Sequence, residues 1–511
     1  MEAKAMTLAD PYHWILDAAR TTPDALCLED DSGRRLSYGE THALVGRHAA
    51  ALGALGVRVG DRVALQVEKS LDAVVVYLAC LHSGAVILPL NTAYTTAELE
   101  YFLTDSQPTL LLCRPGSEGA ALGAVHQAGD CRIETLGAEE DGTYLDVVAA
   151  QRVSPDPVSV TNTALAALLY TSGTTGRSKG AMITRGNLVS NAAALATTWH
   201  MSAQDRLVHV LPLFHVHGLF LSLNALFAVG ASVRLHRRFD PSETLQSLAT
   251  GSVFMGVPTH YTRLLASPVL NPDAVRGVRL FISGSAPLLA ETHREFEART
   301  GKAILERYGM TETLVNTSNP YDGVRKPGSV GLPLPGVEVR ITDTNPATEG
   351  AEIGMIEIRG PNVCAGYWRS PEKTLADRTP DGFFRTGDLG HIDPDGYLHI
   401  SGRAKDLIIS GGYNVYPKEV ELELDALPSV GESAVFGVPH PDFGEGVTAV
   451  VTLEPGMTFD ESDAISTLKQ TLASYKIPKR IFIVKELPRN TMGKVQKVSL
   501  KATYATIYGH R

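Results

Sequence analysis

Two patterns alternate along the chain from its start to about residue 400, and this alternation restricts the fold more than any other feature. Short apolar runs of β character are followed by longer helix-like stretches. "VRVGDRVALQV" leads to "SLDAVVVYLACLHSG" and then to "AVILPLN", while "SVRLH" leads to "PSETLQSLAT" and then to "SVFMGVP". A chain built this way predicts an α/β architecture with largely parallel sheets. About 400 residues exceed a single hydrophobic core, so subdomains are expected within this half.

Past Leu332 the pattern changes. "GVEVRITD", "GMIEIRG" and "GYLHISG" are short alternating runs separated by Gly, Pro and Asp, which predicts a small antiparallel β subdomain. "GRAKDLIISGGYNVYPKEVELELDAL" then reads as a linker, a glycine turn and an amphipathic helix opened by Pro417. The expected division is therefore a large domain over 1–402, a linker over 403–406 and a small α+β domain over 407–511.

The 511 residues carry 44% hydrophobic and 20% charged side chains, a globular balance with ample material for cores. A net charge of −10 leaves no footprint for nucleic acid or for an anionic membrane surface. Cys27, Cys80, Cys113, Cys131 and Cys364 are scattered and odd in number, which argues for a reducing compartment rather than a disulfide framework. The first residues lack a signal-peptide core and the final "YGHR" is no peroxisomal tail, so a cytoplasmic location is expected. From Leu207 to Val233 there is no Asp, Glu, Lys or Arg, a length that would span a bilayer. Pro212, three histidines, Gly218 and Asn224 interrupt it, and a strand, a turn and a buried helix are expected instead.

The stretch "YTSGTTGRSKG", Tyr170 to Gly180, follows an apolar run and precedes residues that begin to read as a helix. Its glycines fit neither G-x-x-x-x-G-K-[ST] nor G-x-G-x-x-G, so the common mononucleotide and dinucleotide spacings fail. The chemistry still favours phosphate. Gly173 and Gly176 let backbone N–H groups converge, Thr171, Ser172, Thr174 and Thr175 add hydroxyls, and Lys179 adds charge.

This loop resembles the nucleotide loop of the adenylate-forming superfamily of acyl-CoA synthetases, peptide-synthetase adenylation domains and luciferases. "ERYGMTET", "RTGDLG", "GRAKDLI", "GGYNVYPKEVE" and "PRNTMGK" follow in the same order as in that superfamily. The resemblance implies a mobile C-terminal domain and a two-step reaction with ATP, Mg²⁺ and coenzyme A. A carboxylate first takes AMP from ATP, and the thiol of coenzyme A then displaces AMP.

By the same resemblance, Lys494 is the adenylation lysine, with Lys179 also at the phosphates. ATP would be held by the glycine loop, by Ser283, Gly284, Ser285 and Ala286, by Glu306, Arg307, Tyr308, Gly309 and Thr311, and by Asp388 and Arg403 at the ribose. Thr171 and Glu312 would hold Mg²⁺, Lys405 would be the hinge, and Gly411, Gly412 and Tyr413 would meet coenzyme A. Acetylation of Lys494 would remove its charge and stop adenylation.

Specificity is expected in the acyl pocket. "LPLFHVHGLF" supplies His215 and His217, "VPTHYTRLL" supplies Arg263 and "RLHRRFDP" supplies Arg238. A fatty acyl pocket has no use for a cation, whereas a short diacid needs one for its distal carboxylate. "LPLFHVHGLF", "VPTHYTRLL", "SGSAPLLAETHREF", "ERYGMTET" with "NTSNPYDG", and "PRNTMGKVQK" resemble the branch of the superfamily that activates malonate and sometimes methylmalonate. The expected distal partner is Arg263, with His215 lining the site and Arg238 as a second candidate. A synthetase for short or medium monocarboxylates shares every ATP motif and differs only in this pocket.

Overall fold

The computed structural model describes residues 10–125, 130–152, 155–171, 178–345, 353–411, 413–490 and 493–509. The chain packs as two compact units. One comprises Met1–Glu338 with Ile358–Phe384, the other Val339–Glu357 with Arg385–Arg511.

The larger unit is the α/β body that the alternation predicts. A nine-stranded sheet runs in the order Leu332–Pro333, Leu314–Ser318, Ile304–Met310, Leu280–Ser283, Val253–Gly256, Arg206–His209, Ser232–Leu235, Leu26–Asp30, Arg35–Ser37. The six strands from Ile304–Met310 to Leu26–Asp30 are parallel, and antiparallel strands close both ends. A six-stranded sheet has Arg62–Gln66 and Val86–Pro89 at its centre and is parallel except for its last pair. Parallel strands must be joined by crossovers, and capped helices such as Leu71–Ser83, with Ser70 accepting from the Ala73 N–H, provide them.

The register lines up the carboxyl ends of neighbouring strands. Met255 pairs with His209, Gly256 with Ser283, and Ser283 with Glu306. Loops leaving that edge therefore open side by side, where open α/β sheets bind ligands. An aromatic cluster of Phe254, Tyr261, Phe281 and Phe296, all buried, holds the edge from below. Tyr261 Oη donates to the Ile282 carbonyl at 2.6 Å and so ties the helix Pro258–Leu265 to the strand Leu280–Ser283.

The uncharged segment resolves into the strand Arg206–His209, a π-helical turn His217–Ser222, the short helix Leu223–Phe227 and the strand Ser232–Leu235. Among the described residues no helix is long and apolar enough to cross a membrane. One reading of the sequence is corrected. The glycine-rich stretch does not join a strand to a helix, because Leu165–Thr171 and Lys179–Thr184 form an antiparallel pair in which Thr171 faces Lys179. "KGAMIT" pairs as a strand, and the helix starts only at Arg185, capped by Thr184.

The smaller unit holds two sheets. Glu338–Asn345, Ile353–Arg359, Phe384–Ile392 and Leu398–Arg403 form the predicted small β layer. A five-stranded sheet is built on the long antiparallel pair Val430–His440 and Gly444–Leu453, and the helix Pro417–Asp425 packs on it through Val420 and Leu424.

Truncating a fully buried member of the aromatic cluster leaves a cavity. Phe296→Ala should cost about 3–5 kcal/mol and lower the thermal midpoint of the protein. Val498→Ala, at a position that is 70% exposed, should leave that midpoint unchanged in the same calorimetric scan.

Candidate active site

Three groups of predicted residues meet at the carboxyl edge of the nine-stranded sheet. The first surrounds Glu312, which sits in the turn after Ile304–Met310. Its Oε1 accepts from Thr171 Oγ1 at 3.1 Å and from Tyr367 Oη at 3.2 Å, and the carboxylate is buried. Lys179 lies over the Tyr367 ring at 5.6 Å. Its pKa is lowered, mainly by burial and further by Lys373, with Asp377 and Glu312 opposing. A carboxylate and two hydroxyls form a hard oxygen donor set, which fits a divalent cation of the Mg²⁺ type. Ser172, Gly173, Thr174, Thr175 and Gly176 lie outside the described residues.

The second group is centred on His217. The π-turn follows a close approach of backbone, because a Cβ on Gly218 would stand 2.1 Å from the Pro212 carbonyl. Ser222 Oγ donates to the His217 carbonyl at 2.7 Å, and His217 Nδ1 lies 3.1 Å from Ser285 Oγ. His217 is buried and its pKa falls well below the usual histidine value, first through burial and then through Arg307, His215, His209 and His260. His215 Nδ1 accepts from the His217 N–H at 3.2 Å.

Arg307 is the third element and the least expected. It lies in "ERYG" on the strand Ile304–Met310, and Gly284 is small so that the guanidinium can lie against it. A Cβ at Gly284 would be 2.5 Å from Arg307 Cζ and Nε. The Arg307 side chain is buried, and Nε and Nη2 have no hydrogen-bond partner among the described residues. Burial pulls its pKa down to about 10. A buried guanidinium without an anion is costly, and a ligand anion would relieve that cost.

Other predicted residues are placed as follows. Ser283 ends its strand, fully buried, and Ser285 adopts a φ of 71° with its hydroxyl on His217. Glu306 Oε1 accepts from the Leu288 N–H at 3.1 Å and so supports the Ser283–Ala286 turn. Tyr308, Gly309 and Thr311 continue the strand and turn beyond Arg307. Arg263 is exposed, because the helix Pro258–Leu265 buries Tyr261, Leu264 and Leu265 instead, yet its charge reaches His260. Arg238 is also exposed.

In the smaller unit, Asp388 and Arg403 face each other across an antiparallel pair, with Arg403 Nε 2.6 Å from Asp388 Oδ1. Lys405 lies in the single turn Ala404–Asp406. Lys494 closes a turn in which its N–H donates to Asn490 Oδ1 at 2.9 Å. The Lys494 side chain retains solvent contact, and desolvation nonetheless lowers its pKa, with Arg403 and Lys405 adding and Asp388 and Asp406 opposing. Gly411 donates to the Phe443 carbonyl at 2.8 Å, Tyr413 is exposed and stacks on Tyr475 at 4.7 Å, and Gly412 lies outside the described residues.

Sequence reasoning missed Tyr367, which donates to Glu312, and His209, whose Nε2 lies 2.8 Å from the Gly218 carbonyl. Each is an ordinary residue in an ordinary stretch, and only folding brings it to this edge.

This combination of an α/β body, an acidic oxygen cluster and a lysine-bearing smaller unit agrees with the comparisons. Residues 15–368 match the family model described as AMP-binding enzyme, and residues 419–494 match AMP-binding enzyme C-terminal domain. The chain belongs to this family and is an AMP-forming acid–CoA ligase that works through an acyl-adenylate. It is 36% identical over 490 residues to a sulfoacetate–CoA ligase of Cupriavidus necator, covering 94% of this chain and 95% of that one. It is 35% identical over 544 residues to a malonate–CoA ligase of Arabidopsis thaliana, covering 97% and 89% respectively. The crystal structure of ATP-bound MatB from Rhodopseudomonas palustris superposes with a TM-score of 0.94 at 51% identity, covering 98% of this chain and 99% of that one.

Burial holds several histidines neutral. The pKa of His48 and of His82 falls to about 4 and that of His260 to about 3. Below about pH 6.5 the unfolded chain takes up protons that the folded one refuses. Stability from these groups is thus complete above pH 6.5 and lost as pH falls toward their folded values. The thermal midpoint should drop between pH 6.5 and 4 by more than carboxylate titration alone explains, and restoring His48→Gln and His82→Gln together should flatten that limb.

Proposed function

We propose that this ligase joins malonate, and methylmalonate as well, to coenzyme A. One observation supports the diacid over a monocarboxylate: the buried Arg307 guanidinium, whose Nε and Nη2 have no hydrogen-bond partner among the described residues. A second carboxylate on the substrate supplies an anion, and a charge-assisted pair to a guanidinium is among the stronger polar contacts available. Neutral His217, oriented by Ser285, offers a hydrogen bond without adding charge. Arg263 and His215 are the further proposed partners, and Arg238 the outermost.

In the reaction, an oxygen of the proximal carboxylate attacks the α-phosphorus of ATP and pyrophosphate leaves with the broken P–O bond. The sulfur of coenzyme A then attacks the acyl carbon, and AMP leaves with its carboxyl oxygen. Mg²⁺, when bound, neutralises phosphate oxygens in the first step. Glu312 with Thr171 is proposed to hold it, and Lys179 and the glycine loop to hold the phosphates. Lys494 is proposed to neutralise the charge that builds as two anions meet, Asp388 and Arg403 to hold the ribose, and the Ser283–Ala286 segment with Glu306, Tyr308, Gly309 and Thr311 to enclose the adenine. Lys405 is the proposed hinge between the half-reactions, and Gly411, Gly412 and Tyr413 the proposed contact with coenzyme A.

Product analysis with ATP, Mg²⁺ and coenzyme A should give AMP and the thioester chiefly with malonate and methylmalonate. AMP formed best with acetate, butyrate or octanoate would reject the diacid and retain the ligase. Lys494→Ala should slow pyrophosphate release by roughly 10²–10³-fold, the scale of removing one preorganised electrostatic donor. Unchanged pyrophosphate release would remove Lys494 from the adenylation step.

A further inference from the structure

One half-buried cation beside His209 has no place in the reaction above. Lys69 follows the strand Arg62–Gln66 and precedes Ser70, the cap of the helix Leu71–Ser83. It comes from the side of the six-stranded sheet and reaches the carboxyl edge of the nine-stranded one, where Nζ donates to the His209 carbonyl at 2.9 Å. That carbonyl already accepts from the His236 N–H at 3.0 Å. The ammonium thus shares an acceptor that the sheet has satisfied, and this is its one hydrogen-bond partner among the described residues. Two of its three N–H donors remain unspent.

The nearest acidic influence is Asp31, and it is engaged elsewhere. Its Oδ2 accepts from the Arg237 N–H at 3.0 Å, and its Oδ1 lies 2.9 Å from His236 Nδ1. The pKa of Lys69 is driven well below the usual lysine value by burial, with Asp31 only partly opposing. An anion is the group this site lacks.

The groups that feel the charge of Lys69 are those the reading above assigns to the acyl pocket. The same His260 ring feels both Lys69 and Arg263, His209 feels Lys69, and His217 feels His209, His260 and Arg307. His209 Nε2 lies 2.8 Å from the Gly218 carbonyl, which links the carbonyl held by Lys69 to the turn that carries His217.

We infer that Lys69 is a specificity-determining residue, whose ammonium supplies part of the positive field that retains the second carboxylate of a short dicarboxylic acid. The inference rests on the diacid reading above. It adds a cation contributed from the neighbouring sheet to Arg263 and Arg307.

The test compares Lys69→Gln with Lys69→Arg in the full-length enzyme. Glutamine keeps an N–H for the His209 carbonyl and removes the charge, while arginine keeps both. KM and kcat are measured for malonate and for acetate, with KM for ATP as an internal control. Lys69→Gln is expected to raise KM for malonate by roughly tenfold or more, the difference between a charged and a neutral partner for a carboxylate. KM for acetate and for ATP should stay within about twofold by the same argument, and Lys69→Arg should stay near the wild type.

The inference is overturned if Lys69→Gln leaves malonate KM within twofold, or if malonate and acetate lose equally, which marks a purely structural tie to His209. If the glutamine variant lacks a cooperative melt, the arginine variant decides. Retained preference for malonate supports the charge, and equal loss on both acids opposes it. Should the wild type itself prefer acetate, the diacid reading has failed, and that result is distinct from any of these.

Discussion

A guanidinium taken out of water must find an anion, and among the described residues Arg307 Nε and Nη2 find no hydrogen-bond partner. Everything around it prevents the usual escape. Gly284 leaves the space that the group fills, the strand Ile304–Met310 fixes its root, and the aromatic cluster beneath the sheet keeps the edge from shifting. The neighbouring histidines are held neutral by burial, so they neither repel an incoming anion further nor quench the charge. Such a site is incomplete until a ligand brings negative charge to it. Lys69, half-buried, reaches the same edge from the adjacent sheet, where it donates to the His209 carbonyl.

The scaffold explains how so many groups meet. Parallel strands in register end together, and the residues at those ends, His209, Gly256, Ser283 and Glu306, come from chain positions almost 100 apart. Each following turn then carries one part of the chemistry: the π-turn with His217, the turn with Ser285, and the turn with Glu312. The His217–Ser285 hydrogen bond ties the first two turns together, and Thr171 and Tyr367 hold Glu312 on the third, so the polar groups are oriented before a ligand arrives.

Much of this was legible in the sequence because it lies in local pattern. The alternation gave the parallel sheets, Pro417 marked the start of its helix, and the ordered motifs named the family. Three things were not legible, for identifiable reasons. "AMIT" read as the start of a helix because a short apolar run suits either element, and only pairing with Leu165–Thr171 makes it a strand. Arg263 had no readable direction, since helix rotation is set by Tyr261 packing on Ile282. Arg307 was grouped with the adenine loop because its motif placed it there. That it is buried with Nε and Nη2 unpartnered among the described residues is a property of the fold, and no spacing reveals it.

The account turns on charge at the far end of the substrate, so the most direct measurement changes that charge and little else. ATP–pyrophosphate exchange should be followed with malonate and with its monomethyl ester, which share a proximal carboxylate and differ by one distal charge. Exchange with malonate should exceed exchange with the ester by roughly 10²-fold, as expected when a buried charge loses its ionic partner. Equal exchange with the two acids would contradict the account, because Arg307 would then have no anion to meet.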